Sequence, residues 1–521
     1  MNKDGAEEVK QRGGLLRSSG VVGVMTLFSR VLGLVRDVVI ASYFGASGSA
    51  DAFFIAFKIP NFMRRLFAEG AFSQAFIPVL SEYRERQDHA AVQQLVDRVA
   101  GTLGFILLMV TIVAVLAAPV LTAVFAPGFY TGHSDKFQLA SEMLRITFPY
   151  LLLISLTAFS GAILNTYGRF AIPAFTPVLL NICLIGSAVF LSPMFDEPIV
   201  ALAWGVLMAG TVQLVFQLPF LAHLKLLPKP VFGWQDEGVQ RILKLMLPAL
   251  FGVSVAQINL LLDTVLASFL QTGSVSWLYY SDRLTELPLG VFGIAISTVI
   301  LPSLARKHAS RSAKEFAHTL DWAVRMILLI GLPASLALIL LAEPLIITLF
   351  KYGELTARDV AMSAMSLQAY ACGLLAFMLI KVLAPGYFSR QDMKTPVKIA
   401  VQAMVANMIL NLLLIWNFQH VGLAMATALS AFLNAGMLLR GLIKEGVFKW
   451  QPGWMLLLIR LFLALFALLA VIVWLSPPAD IWMAGDVWMR VRQMLLVVVG
   501  GGAAYVCVLL LAGLRLGHIR A

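Results

Sequence analysis

Runs such as LGFILLMVTIVAVLAAPVLTAVF at 103–125 and WMLLLIRLFLALFALLAVIVWL at 454–475 recur from one end of this sequence to the other. A helix rising 1.5 Å per residue crosses a hydrocarbon layer in about 20 apolar residues, so each run is long enough to span a bilayer. The composition agrees: 60% of the 521 residues are hydrophobic and only 13% are charged. A water-soluble fold is nearer 45–50% apolar and about 25% charged. No polar block is long enough for a separate soluble domain, and the segments lack the polar/apolar alternation, about ten residues long, of a membrane β-barrel. The expected fold is an all-α polytopic membrane protein.

A hydropathy window of ~20 residues predicts about 14 transmembrane helices. The connectors between them alternate in charge. One set is basic: Lys3, Lys10, Arg12 and Arg17; Arg84 and Arg86; Arg169; Lys225, Lys229 and Arg241; Arg306, Lys307, Arg311 and Lys314; Arg390 and Lys394; Lys444 and Lys449; Arg515 and Arg520. The other set, including SPMFDEP, QTGS, NFQHVG and SPPADIWMAGDVW, has almost no Lys or Arg. The positive-inside rule then puts both termini in the cytoplasm and accounts for the net charge of +11 without nucleic acid. The amino-terminal stretch is too polar for a signal peptide and is expected to stay uncleaved. Cys183, Cys372 and Cys507 lie in apolar runs without CxxC spacing and read as packing residues.

The chain also repeats itself. VVIASYF at 38–44 matches TVLASFL at 264–270, each after an aspartate, Asp37 and Asp263; FIPVLSEYRER at 76–86 matches ILPSLARKHAS at 300–310. Later, LNTYGRFAIPAFTPVLLN and GYFSRQDMKTPVKIAVQAMVANMILN share a polar turn, a proline re-entry and an asparagine in the next span. An even number of helices separates the copies, so both have one orientation, a parallel pseudo-two-fold repeat. The expected organisation is a cytoplasmic tail (1–18), an N-lobe of helices 1–6 (19–224), a cytoplasmic linker (225–244), a C-lobe of helices 7–12 (245–443), helices 13 and 14 (454–513) bordering a lipid-tail groove, and a cytoplasmic tail (514–521).

Ionisable groups at membrane depth are costly and mark function by default. Here they cluster in few helices: Arg30, Arg36 and Asp37 in the first; Asp51, Lys58, Arg64, Arg65 and Glu69 in the second; Asp282, Arg283 and Glu286 in the eighth; Lys381 in the tenth. Lys58 and Asp282 fall at equivalent places in the repeat. Arg64, Arg65 and Glu69 lie near a span end, where snorkelling or simple pairing also accounts for them. The arginines outnumber their acidic neighbours, and guanidinium forks match phosphate oxygens, so a phosphate or diphosphate ligand is expected. No phosphate loop and no His/Cys cluster is present in the sequence, so ATP hydrolysis, a transition-metal site and other cofactors are not expected. Asp263, Asn407, Asn411 and Thr427 offer hard oxygens suited to sodium, or equally an interhelical hydrogen-bond set.

FSRVLGLVRD, ADAFFIAFKIPNFMRRLFAEGAFSQAF, SVSWLYYSDRL and APGYFSRQDMKTPVKIA resemble the MurJ (MviN) family of bacterial lipid II flippases, within the multidrug/oligosaccharidyl-lipid/polysaccharide exporter superfamily. The likeness runs along nearly the whole chain. It implies two six-helix lobes plus two further helices in the bacterial inner membrane, moving undecaprenyl-diphosphate-linked peptidoglycan precursor (lipid II) to the outer leaflet by alternating access. The residues matching the family's functional charges are Arg30, Arg36, Asp51, Arg64 and Arg283, with Lys58, Arg65, Asp282 and Glu286 as neighbours. Asp263, Asn407, Asn411 and Thr427 resemble a cation site proposed in some members. Expected partners are lipid II, membrane lipids and cell-wall synthesis enzymes, with the protein itself a monomer. An exporter of another polyprenyl-linked glycan, a drug/cation antiporter, a membrane enzyme acting on polyprenyl diphosphates and a non-transporting scaffold are the competing readings.

Overall fold

The computed structural model describes residues 3–66, 72–132 and 134–514, leaving aside the side chains before residue 22 and those at 249, 251–256, 260, 294 and 298. Among the described residues every span expected from hydropathy coincides with helix, and no strand occurs. The chain divides into two compact units, Met1–Thr272 and Gly273–Ala521.

The first unit contains α1 (Lys3–Phe44), α2 (Gly48–Arg64), α3 (Ser73–Arg86), α4 (His89–Leu116), α5 (Ala118–Phe125), α6 (Pro127–Gly132), α7 (Ser134–Thr147), α8 (Tyr150–Thr166), α9 (Ala171–Gly186), α10 (Val200–His223) and α11 (Glu237–Ala267). The second contains α12 (Ser274–Pro288), α13 (Ile294–Ala309), α14 (Ala313–Leu340), α15 (Ala342–Phe350), α16 (Ala357–Phe388), α17 (Lys394–Lys444), α18 (Trp454–Leu475), α19 (Ala479–Ala484) and α20 (Val487–Leu511). The helix after the linker, α11, packs on α3, α4 and α5 of the first unit. The division by contacts therefore falls after this helix, whereas the division read from sequence falls before it.

Among the described residues ten helices are both long and apolar enough to cross a membrane, and one of them, α17, runs for 51 residues. It accounts for two expected spans: Gln419, at φ 50° and ψ −129°, breaks it where NFQHVG was read as a connector. The fourteen-span reading is consistent with this layout. The helix starts follow from short polar residues at the connectors, whose side chains accept the first free amides. Ser47 caps α2, Asp88 caps α4, Asp236 caps α11 and Asp486 caps α20, while Thr356 and Asp359 form a capping box on α16.

The repeat is visible in the backbone. The second and eighth spans each carry prolines, Pro60 and Pro78 in one and Pro288 and Pro302 in the other. Both pass through π-helical backbone, at residues 65–66 and 72 and at Leu289–Gly293. A proline lacks the amide that closes an α-turn, and the wider turn absorbs the mismatch.

Each unit has its own core. In the first, Phe72, Phe76 and Phe159 stack among Leu80, Val96 and Ile163. In the second, α16 packs against α12, α14 and α17, and at Gly373 it closes on the Ala428 backbone so tightly that a Cβ would overlap Ala428 Cα at 2.7 Å. The helices α18 and α20 pack on each other, and α18 also meets α14. Their outer faces expose Phe462, Phe466, Leu495 and Val499, apolar surface that in a bilayer faces lipid.

Candidate functional site

The charges expected at membrane depth fall in both units. In the first unit, Arg36 is 5% exposed and Asp37 1%. The Arg36 guanidinium donates Nε (2.9 Å) and Nη2 (2.6 Å) to Asp37 Oδ1, and Nη1 (3.0 Å) to Asn181 Oδ1 of α9. Asn181 in turn donates Nδ2 to the Ser29 carbonyl (3.1 Å). A buried arginine needs such a shell, because an uncompensated charge in low dielectric is strongly unfavourable. The shell also ties α1 to α9.

Arg30, less than two turns earlier on α1, differs from Arg36. It is half-buried, and among the described residues it makes no hydrogen bond or ion pair. Asp51 is buried in the first turn of α2, where an acidic side chain complements the helix dipole. Lys58 is half-buried on the same helix. Arg64 donates Nε to Asn61 Oδ1 (2.9 Å), and Arg65 begins the π-helical segment. Glu69 lies outside the described residues.

In the second unit, Asp282, Arg283 and Glu286 lie on one helical turn of α12. Arg283 donates Nη1 to Glu286 Oε2 (3.1 Å) and Nη2 to the Tyr279 hydroxyl (3.2 Å), with its guanidinium 5.1 Å from the Tyr279 ring centre. The Arg283 side chain stays 30% exposed and that of Glu286 44%. This arginine is held in a defined orientation yet remains accessible to a ligand. Lys381 of α16 is exposed.

The candidate cation residues divide between the units: Asp263 sits on α11 in the first, the other three on α17 in the second. Asn407 and Asn411 are fully buried. Asn411 donates Nδ2 to Asn407 Oδ1 (2.9 Å), and Asn407 donates to the hydroxyls of Thr427 (3.4 Å) and Ser430 (3.3 Å) across the two arms of the kinked helix. These are hard oxygen donors of the type a monovalent cation takes, here engaged with one another.

Two partners, Asn181 and Tyr279, are not among the candidates that the sequence singles out. Asn181 stands at the end of the second repeat echo, in the place of Asn411, and that echo is its signal in the sequence. Tyr279 lay within the YYSDRL stretch, one turn before Arg283, a spacing that brings side chains together on a helix. An apolar cavity of about 220 Å³ in the first unit, lined by Phe72, Val99, Leu107, Ser155 and Met246 among others, contains none of the candidate residues.

The family model described as "Lipid II flippase MurJ" matches residues 40–491. A Vibrio cholerae protein named probable lipid II flippase MurJ is 51% identical, over 97% of this chain and 98% of its own length. A Haemophilus influenzae protein of the same name is 52% identical, over 95% and 99%. Among solved structures, a lipid II flippase MurJ in an inward closed conformation aligns with a TM-score of 0.78 at 28% identity, covering 94% of this chain and 97% of that one. An inward-facing multidrug resistance transporter of the MATE family, MOP superfamily, aligns with a TM-score of 0.66 at 15% identity, covering 82% and 98%, a likeness of fold alone.

Proposed function

Because this chain belongs to the lipid II flippase MurJ family, we propose that it carries undecaprenyl-diphosphate-linked peptidoglycan precursor from the cytoplasmic to the periplasmic leaflet of a bacterial inner membrane, acting as a transporter and not as an enzyme. The observation that carries this reading is the contrast among its buried arginines. Arg36 is fully engaged by Asp37 and Asn181, whereas Arg30 is half-buried without a protein partner among the described residues, and Arg283 is oriented but accessible. Guanidinium groups so placed suit the two phosphates of the carrier, which bind bidentate forks strongly where water is scarce.

In this reading Arg30 and Arg283 contact the diphosphate, and Arg36 positions α1. Asp51 and Lys58 form ion pairs that change as the site is presented first to one face of the membrane and then to the other. Arg64, Arg65 and Asp282 line the polar path of the sugar–peptide headgroup. The apolar outer faces of α18 and α20 suit the prenyl chain. A drug/cation exporter of the same fold would favour acidic and aromatic ligands, which the excess of arginine disfavours.

The test is depletion of the protein in its host, followed by assay of the leaflet that holds the precursor. Precursor held on the cytoplasmic side, released by the wild-type gene and not by Arg30→Ala or Arg283→Ala at equal membrane abundance, is the expected result. Normal outer-leaflet precursor in a host lacking another flippase would refute it.

Coupling to sodium is a second part of the proposal, resting on the oxygen cluster of Asn407, Asn411 and Thr427, with Asp263 as the carboxylate expected from sequence. Translocation in vesicles should then fall when sodium is replaced by potassium, and Asn411→Leu should remove the difference. Equal rates in both salts would rule the coupling out.

A further inference from the structure

The connectors that follow the sixth and twelfth expected spans share a pattern, VFGWQ at 231–235 and VFKWQ at 447–451. Each is fastened to a helix of its own unit by an aspartate. In the first unit Asp97 of α4 accepts the Lys229 amide on Oδ1 (2.7 Å) and the Val231 amide on its backbone carbonyl (3.0 Å), and the Thr102 hydroxyl accepts the Gly233 amide (3.1 Å). Gly101 permits this approach, since a Cβ there would run into the Val231 backbone. In the second unit Asp321 of α14 accepts the Gln451 amide (3.3 Å) and the Trp454 indole N–H (2.7 Å), while Arg325 donates to the Gln451 and Pro452 carbonyls (both 3.0 Å). Asp97 and Asp321 are separated by the same number of residues as Phe76 and Ile300, so the fastening aspartate is itself part of the repeat.

The depth of each fastening can be read from the helix that makes it. Arg98 is the last charged residue of α4, which is uncharged from Val99 to Leu116; Arg325 is the last of α14, uncharged from Met326 to Leu340. In a spanning helix this change marks the edge of the hydrocarbon, the level at which tryptophan is enriched. Each connector is thus pinned at headgroup depth, and each presents aromatic surface there. Phe232 is 60%, Trp234 48% and Trp450 54% exposed. Phe232 meets Phe105 edge-on (5.4 Å), and Phe105 belongs to the exposed apolar stripe of α4 that includes Val113 and Leu116. Trp450 stands edge-on to both Phe448 and Trp454, and Phe448 is buried in the core of its unit. Exposed Lys225 and Lys229 flank one segment; exposed Lys444 flanks the other and Lys449 lies within it.

We propose that the two VFxWQ segments are a duplicated pair of membrane anchors, with their exposed aromatic rings in the headgroup layer of the leaflet that borders the basic connectors and their lysines on anionic lipid headgroups. The indole ring suits this layer because one edge donates a hydrogen bond while the face is apolar. Lysine suits it because its long stem lies along apolar surface while the ammonium stays wet. The fastening aspartates hold the rings at one depth relative to each unit, whatever cargo the unit moves.

Depth can be measured on the full chain in bilayers. With Cys183, Cys372 and Cys507 replaced by Ala, W234C or W450C is spin-labelled, and collision with oxygen is compared with collision with a water-soluble nickel chelate, using a label at Lys314 as the aqueous reference. The expected result is several-fold protection from nickel at both anchor positions. Accessibility equal to that at Lys314 would overturn the anchor and leave the surface open to a soluble protein partner. Adding phosphatidylglycerol to phosphatidylcholine bilayers should slow the label at 450, and K229A/K449A should abolish that effect; indifference to lipid charge would overturn the lysine contact. If a cysteine at either position blocks insertion, tryptophan quenching by headgroup-brominated lipid decides instead. It should be weaker in W234F and W450F than in wild type, and unchanged quenching would overturn the proposal.

Discussion

At the scale of single residues, two arginines less than two helical turns apart on α1 have opposite surroundings, and this separates their expected phenotypes. Removing Arg36 leaves Asp37 buried without its main cation, a loss of about 3–5 kcal/mol by analogy with other broken buried pairs. Arg36→Ala should therefore reduce thermal stability and membrane abundance. A paired change, Arg36→Met with Asp37→Leu, should recover stability, because the two buried charges are then removed together. If the paired variant also transports, Arg36 acts only by positioning; if it is stable and inactive, Arg36 contacts cargo. Arg30→Ala, which breaks no hydrogen bond or ion pair with a described residue, should leave unfolding nearly unchanged while transport is lost. Unfolding scans beside a leaflet assay check both expectations. Sequence showed all these arginines at similar depth in similar apolar surroundings. It did not show which was satisfied, because Arg36's partner Asn181 lies 145 residues away.

At the scale of elements, the break in α17 carries a testable strain. Gln419 adopts a positive φ that side-chain-bearing residues rarely hold, at a cost on the order of 1–3 kcal/mol. Gln419→Gly should keep or raise the melting temperature and Gln419→Val should lower it; the reverse order would mean that the backbone there is not strained. The apolar packing of α3 on α11, where Val79 and Leu80 share a core with Val239 and Ile242, carries an ion pair at its edge. Arg241 Nη2 stands 2.8 Å from Glu82 Oε2, and the hydrogen bond from its guanidinium holds the Glu82 carboxyl below the usual carboxylate range. With the folded pKa depressed, this contribution is present above the unfolded pKa of glutamate and is lost as pH falls through the lower, folded value. Arg241 is exposed and Glu82 partly so, and the contribution is therefore small and should fade in high salt. Melting curves of wild type and Glu82→Gln should therefore converge as pH is lowered through the acidic range. Periodicity and hydropathy located nearly all the helices. The place where the chain parts into two units was not legible, because it depends on which neighbours α11 packs against.

At the scale of the whole molecule, what was legible and what was not follow from one physical difference. Apolar length, loop charge and the cost of ionisable groups in hydrocarbon are properties of short stretches. From them the sequence by itself determined an all-α membrane protein, a duplicated architecture and an arginine-rich set of functional candidates, and its resemblance to a known family named the cargo to be tested. Partners across helices depend on rotation and register, which close packing sets and local pattern does not encode. Only the tertiary structure could decide that Asn181 completes the shell of Arg36, that Tyr279 orients Arg283, that α11 packs with the first unit, and that Asp97 and Asp321 pin two connectors whose shared VFxWQ pattern is too short to have meaning until each is seen fastened to a helix of its own unit.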